Sequence, residues 1–253
     1  MNARAILLDL DGVLYVEDEP VPGAREAVAR LRDRGLELRF VTNTTSRPRR
    51  RILERLHRLG FAVAPDELAT PAALAVRRCL ERGHRRVALV MNDDVKEDFA
   101  ELEEVDAHAE AVIVGDLGPA FGYAVLNRAF RQLIDGAELI ALQKNRYWLT
   151  PDGLSLDVGA FVAALEYAAG TTAFVVGKPE RGFFATILDA IPAEPHEAVM
   201  VGDDVESDVG GALAAGLAGV LVRTGKYRPD AAAAAGVEPT ATIDSIADLP
   251  DVL

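Results

Sequence analysis

The chain has 253 residues, half of them apolar, and carries a formal charge of −13 from 27 Lys and Arg against 40 Asp and Glu. That length supports one large domain or two smaller ones around a sizeable core. The negative charge argues against nucleic acid or an anionic membrane as a partner, and with no apolar run of the ~18 residues needed to span a bilayer, no signal-peptide pattern and a single cysteine, a cytoplasmic protein is expected.

The first element is a short apolar run, 5–8, ending in Asp9-Leu10-Asp11-Gly12. Such a run followed by Gly suits a buried parallel strand. Residues i and i+2 of a strand share a side, so Asp9 and Asp11 are expected to project together from its carboxyl end. Residues 16–23, with Pro20 and Pro22, read as turns. A helix over 24–34 stops at Gly35, and 36–41 reads as a second strand. The polar cluster Thr42-Asn43-Thr44-Thr45-Ser46 then caps a helix over 48–59. Further helical pieces start at 66 and 70, the second reaching 81. Cys79 lies in the apolar helical stretch 72–80 and reads as a buried structural thiol.

From residue 86 the pattern restarts. Strands are expected at 87–91, 111–115 and 139–142, with helices at 93–102 and 123–133. A hairpin follows, turning at Pro151-Asp152-Gly153, and then a helix reaching 169. Residues 82–170 read as an inserted α/β domain, and the acidic stretch 97–106 as a solvated face. A strand at 173–176 leads to Gly177-Lys178-Pro179 and a helix over 182–190. The strand 198–201 runs into Gly202-Asp203-Asp204-Val205-Glu206-Ser207-Asp208, followed by a helix over 208–215 and a strand over 219–222. The alternation makes this an α/β protein with a Rossmann-like, doubly wound parallel sheet.

Four polar sites therefore stand at the ends of apolar strands: Asp9/Asp11, Thr42/Asn43, Lys178 and Asp203/Asp204/Asp208. In an open parallel sheet these ends share one edge, where such folds bind ligands. Several carboxylates together, without a His or Cys cluster, call for a hard cation, and Mg²⁺ is the natural choice. The cation would bridge Asp9 and Asp203. Asp9 can then attack phosphorus, and Asp11 can protonate the leaving group and later activate water. Lys178 offsets the gathered negative charge. Thr42 and Asn43 can hold phosphate oxygens at a helix N-terminus, and Gly12 permits close backbone approach.

The motifs Asp9-Leu-Asp-Gly-Val-Leu, Val-Thr42-Asn43, Gly-Lys178-Pro and Val-Gly-Asp203-Asp204…Asp208, in this order, resemble those of the haloacid dehalogenase superfamily. The long insert between the second and third motifs resembles the C2-type cap of subfamily IIA, the NagD-like phosphatases. Val13 departs from the more usual Thr. The resemblance implies a core over 1–81 plus 171–253 and a C2-type cap over 82–170. It also implies an aspartyl-phosphate mechanism with Asp9 as nucleophile and Asp11 as acid and base. Mg²⁺ would be held by Asp9, the Asp11 main-chain carbonyl and Asp203, with Asp204 and Asp208 supporting it. In capped relatives the substrate-contacting loop precedes the helix that returns to the core, which points here to Lys144, Arg146, Tyr147 and Asp157. The expected substrate is a small phosphorylated metabolite, a phosphoamino acid or pyrophosphate, and a homodimer through the cap is expected. The alternatives are a phosphotransferase or mutase of the same fold and a non-catalytic binding protein that keeps it.

Overall fold

The computed structural model describes residues 3–150 and 153–253, the side chains of 148–150 excepted. The chain forms two compact units. The first comprises residues 1–42, 52–69 and 178–253; the second comprises 43–51 and 70–177.

The first unit is built on a six-stranded sheet in the order Ala241–Ile243, Ala218–Val222, Ala198–Gly202, Ala5–Asp9, Glu37–Val41, Leu68–Ala69. All five pairings are parallel. Parallel strands are covered on both faces, and Ala5–Asp9 is accordingly buried at all five positions. Ile6, Leu8, Phe40, Val199, Val201 and Val220 lie in one apolar cluster with Val28 and Leu31 of the Ala24–Asp33 helix. The chain first builds outward from Ala5–Asp9 to one side and later returns to the other. The order thus reverses between Ala5–Asp9 and Ala198–Gly202, and ligands of open α/β sheets bind beside the carboxyl ends at such a reversal.

The second unit has its own parallel sheet, ordered Phe174–Val175, Glu138–Ala141, Ala111–Val114, Arg86–Val90, Glu103–Glu104. Its core gathers Val112, Val114, Leu139 and Ala141 with Leu133, Val162 and Leu165 from the helices Tyr123–Ile134 and Val158–Ala169. Residues Tyr147–Thr150 and Gly153–Leu156 pair antiparallel. The expected turn residues Pro151 and Asp152 lie outside the described residues.

The structure departs from the sequence reading in three places. The first strand stops at Asp9. The Val13 and Leu14 amides bond back to the Leu10 carbonyl at 3.3 and 2.9 Å, so Asp11 sits in a turn and the i, i+2 strand argument does not apply to it. Phe174–Val175 is an edge strand of the second unit's sheet. Lys178 therefore does not extend a strand of the first unit's sheet. Helix Pro71–Arg82 packs on the Asp93–Phe99 segment within the second unit. Finally, the turn-rich segment after Leu14 contains a small ribbon, Tyr15–Val16 against Glu19–Pro20.

Among the described residues no helix is long and apolar enough to cross a membrane. Cys79 is buried, and burial pushes its thiol up to about 11, so it stays an inert neutral side chain.

Candidate active site

Asp9 ends its strand, and Asp203 follows the last residue of the neighbouring one. The two strands run in register, with Leu8 opposite Val201, so the two carboxylates emerge side by side at the reversal of strand order. On its other flank Asp9 stands opposite Val41, which puts buried Thr42 one residue beyond; the Thr42 amide donates to the Ala69 carbonyl at 3.3 Å. Asp208 comes back to the same place through the helical turn Val205–Gly210. Oxygens of Asp9, Asp203 and Asp208 all lie within 4.8 Å of one another, and all three residues are buried.

Three carboxylates so close and so dry repel one another unless cations intervene. Lys178 is one. Its Nζ lies 2.6 Å from Asp9 Oδ1 and 2.6 Å from Asp208 Oδ1, with the lysine side chain 3 % exposed. Burial alone would lower its ammonium, but Asp208 and Asp9 hold it well above the ordinary value. The carboxyls move the other way. Burial raises Asp9 against the pull of Lys178, and pushes Asp203 and Asp208 each up to about 6.

Asp203 is held by a loop from another strand end. Its Oδ2 accepts the Lys226 amide at 2.6 Å. Gly225 has φ +63°, and a Cβ there would lie 2.1 Å from Asp203 Oδ2 and 2.4 Å from the Gly12 Cα. Gly12, at φ +84°, is as tight: a Cβ would come within 2.0 Å of the same oxygen. Both positions require glycine for left-handed backbone and for space. The Thr224 hydroxyl closes the arrangement by donating to the Gly12 carbonyl. The loop 224–226 thus seats Asp203, a role for which its sequence offers no chemical signal, since Thr-Gly-Lys by itself reads as a turn. The other oxygen, Asp203 Oδ1, is buried without a hydrogen-bond partner. A buried carboxylate oxygen left unpaired beside two further carboxylates is a donor set that fits a hard divalent cation.

The remaining expected residues divide. Asp204 Oδ1 accepts the Glu206 and Ser207 amides at 3.1 and 3.0 Å and starts the following turn. Asp208 Oδ2 accepts the Asp204 amide at 3.2 Å, so Asp208 orients Lys178 and ties down this turn. Asp11 Oδ2 accepts the Tyr15 hydroxyl at 3.3 Å. Asn43 opens the second unit, which also holds the four expected substrate contacts. There Asp157 Oδ1 accepts from the Val158 amide and from Gln143 Nε2, both at 2.7 Å, and caps the apolar helix that follows. Lys144 pairs with Glu166 at 2.8 Å. The Arg146 guanidinium lies 5.7 Å over the Tyr147 ring, and Tyr147 is exposed.

Residues 6–104 match the family model described as haloacid dehalogenase-like hydrolase, and residues 175–249 match one described as HAD-hydrolase-like. The chain belongs to the haloacid dehalogenase-like hydrolases. Within this family it is 49 % identical over 225 residues to the haloacid dehalogenase-like hydrolase domain-containing protein 2 of Homo sapiens, covering 89 % of this chain and 86 % of that protein. It is 42 % identical over 259 residues to the phospholysine phosphohistidine inorganic pyrophosphate phosphatase of Xenopus laevis, covering 100 % of this chain and 95 % of the relative. Among solved structures, p-nitrophenyl phosphatase from Archaeoglobus fulgidus superposes with a TM-score of 0.91 at 28 % identity, over 99 % of both chains. A haloacid dehalogenase-like core thus accounts for the six-stranded sheet, and the second unit's own sheet lies in the insert between Ala69 and Lys178.

Proposed function

We propose that this hydrolase is a Mg²⁺-dependent phosphatase that cleaves a small phosphorylated metabolite, a phosphoamino acid or pyrophosphate through an aspartyl-phosphate on Asp9. The observation that carries the reading is the Asp9–Asp203–Asp208 cluster with Lys178 bridging two of its members. Phosphoryl transfer depends on positioning and charge stabilisation more than on covalent groups, and this cluster provides both. The names of the relatives, phosphatases among them, support the same chemistry.

Asp9, Asp203 and the Asp11 main-chain carbonyl would hold the cation. When bound, it supplies the positive charge that draws in a phosphoryl oxygen and offsets charge developing in the transition state. The protein's own steps follow. The Asp9 carboxylate attacks phosphorus while the bond to the leaving oxygen breaks. Asp11 gives that oxygen its proton. Lys178, anchored by Asp208, keeps the Asp9 carboxylate ionised against burial and balances the phosphoryl charge. Thr42 and Asn43 would take phosphate oxygens, and Gly12 lets the main chain approach them. Asp11 then removes a proton from water, which attacks phosphorus and frees Asp9 and inorganic phosphate.

The leaving group would be met by the insert, through Lys144, Arg146, Tyr147 and Asp157. A homodimer formed through the insert belongs to the same reading, as does a reducing, cytoplasmic setting consistent with the lone buried cysteine. The test is hydrolysis of p-nitrophenyl phosphate with Mg²⁺ and with chelator, in the wild type and in Asp9→Asn. Turnover should need the cation and vanish in the variant; turnover that persists in Asp9→Asn overturns the mechanism. A panel of phosphorylated metabolites that includes pyrophosphate then separates the substrate classes.

A further inference from the structure

Asp11 lies in a turn, and an aspartate carboxyl rotates about a soft sp³–sp² torsion with broad preferences. An acid that must deliver a proton and later take one back from water needs that torsion fixed. The residue that can fix it is Tyr15. Its side chain is buried at 2 % exposure, yet its hydroxyl reaches Asp11 Oδ2 at 3.3 Å. That is longer than the usual ~2.7–2.8 Å for O–H···O, and catalytic hydrogen bonds often tighten only when substrate is bound.

The ring is held on several sides. Its backbone bridges Asp11, and its carbonyl accepts the Gly12 amide at 2.7 Å. The Arg55 guanidinium covers its face, 4.3 Å from the centroid. Arg55 is itself tied to the tip of the same ribbon, donating to the Glu17 carbonyl and pairing with Asp18 at 3.3 Å. Glu17, a non-glycine residue at φ +50°, is the uncommon backbone that such a tether supports. The ribbon 15–20, the cation and the ring form one assembly behind Asp11.

We propose that Tyr15 is a positioning residue for Asp11, its hydroxyl occupying Oδ2 so that Oδ1 carries the proton in both half-reactions. In a carboxylic acid the carbonyl oxygen is a better acceptor than the hydroxyl oxygen, so a Tyr15 hydroxyl that donates to Oδ2 favours the acid form with its proton on Oδ1. In the first step Oδ1–H passes to the leaving oxygen as the Asp9–phosphorus bond forms and the old phosphorus–oxygen bond breaks. In the second, Oδ1 takes a proton from water as the water oxygen bonds to phosphorus and Asp9 leaves. Tyr15 keeps its own proton throughout; burial and the neighbouring Asp11 carboxylate hold the phenol well above its ordinary value. This inference rests on the proposed role of Asp11.

The experiment compares kcat/KM for p-nitrophenyl phosphate and phenyl phosphate, two substrates of similar size. Nitrophenolate leaves with little help; phenolate needs the proton. General acid catalysis is typically worth ~10²–10⁴-fold, and Tyr15→Phe keeps the ring and its contact with Arg55. Tyr15→Phe should lower phenyl phosphate turnover by about 10–100-fold and p-nitrophenyl phosphate turnover by much less. It should also add nothing further in an Asp11→Asn background, because residues acting as one unit are non-additive. Equal losses on both substrates, full additivity with Asp11→Asn, or no loss at all overturns the positioning role. Turnover that survives Asp9→Asn is the separate result that removes the mechanism beneath it.

Discussion

Lys178 and Asp208 form an ion pair of 2.6 Å in which the lysine side chain is 3 % exposed and the aspartate 1 %. The same Nζ reaches Asp9 at the same distance. Removing one partner of a buried pair leaves uncompensated charge and costs about 3–5 kcal/mol. In Lys178→Met both carboxylates lose their cation, so the variant should lose stability on that scale and lose turnover. Asp208→Asn tests the other half. It leaves Asp9 its lysine but slackens the anchor, so kcat should fall while the protein stays folded. Urea melts beside steady-state kinetics read both; a Lys178→Met variant with wild-type turnover contradicts the arrangement.

Asp203 combines structural cost with function. Its folded-state pKa is raised to about 6 by burial, above the ordinary carboxylate value of about 3.9. A carboxyl raised in this way favours the folded chain at low pH, and that contribution is lost as pH rises through about 6. The chelator-treated protein should therefore melt at a lower temperature at pH 8 than at pH 5.5. Asp203→Asn removes the buried charge, and should raise the melting temperature at pH 8 in chelator while abolishing the further rise that the proposed Mg²⁺ site predicts for the wild type. A variant that melts lower than wild type under those conditions, or still responds to Mg²⁺, would overturn this account.

Gly225 is where the sequence is silent and the structure demanding. With a Cβ placed 2.4 Å from the Gly12 main chain and 2.1 Å from Asp203 Oδ2, Gly225→Ala forces the loop away from the carboxylate it seats. Misplacement by about 1 Å can cost ~10²-fold in rate. The expected signature is a fall in kcat of that order with a raised Mg²⁺ requirement, read by titrating the metal at saturating p-nitrophenyl phosphate. Unchanged metal dependence would mean that the loop does not control Asp203.

These cases show what the sequence can carry. Asp9, Lys178 and Asp203 were legible because each closely follows an apolar run, and a polar site at that point recurs four times across the chain; Asp208 was legible only as the last acid of the stretch that begins at Asp203. The parallel α/β architecture of the core followed from the alternation of short apolar runs with amphipathic helices. What was not legible depends on contacts distant in sequence. Asp204 and Asp208 are both acidic residues of one motif, yet Asp204 bonds its own turn while Asp208 reaches Lys178. Asp157, expected as a substrate contact, also caps the helix that follows it. The edge strand Phe174–Val175 carries the same apolar signal whichever sheet it joins.

The stretch 97–106 illustrates the same limit. Charge alone reads it as solvated, yet Asp98 is half-buried and accepts the Arg49 amide at 2.9 and 3.2 Å. Helix Arg49–Arg58 begins with three arginines and no acidic residue in its first turn, which opposes the positive end of the helix dipole. Asp98, Glu97 at 3.2 Å from Arg50, and Asp94 at 3.4 Å from Arg51 supply the missing negative charge. Loss of an N-terminal cap costs about 1 kcal/mol, so Asp98→Ala should destabilise by that amount in urea melts, whereas Glu101→Ala should change little.

Lys144 tests how the insert contributes to recognition. Its ammonium pairs with Glu166 at 2.8 Å, with 37 % of the lysine side chain exposed, and exposed pairs contribute only about 0–1 kcal/mol. As a surface pair alone, Lys144→Ala changes neither stability nor kinetics appreciably. As a substrate contact, Lys144 leaves Glu166 to meet an anionic leaving group, and Lys144→Ala raises KM for pyrophosphate several-fold while leaving KM for p-nitrophenyl phosphate unchanged. The proposed role in recognition predicts the second pattern. Equal KM values for wild type and variant on both substrates would reduce Lys144 to its pairing with Glu166.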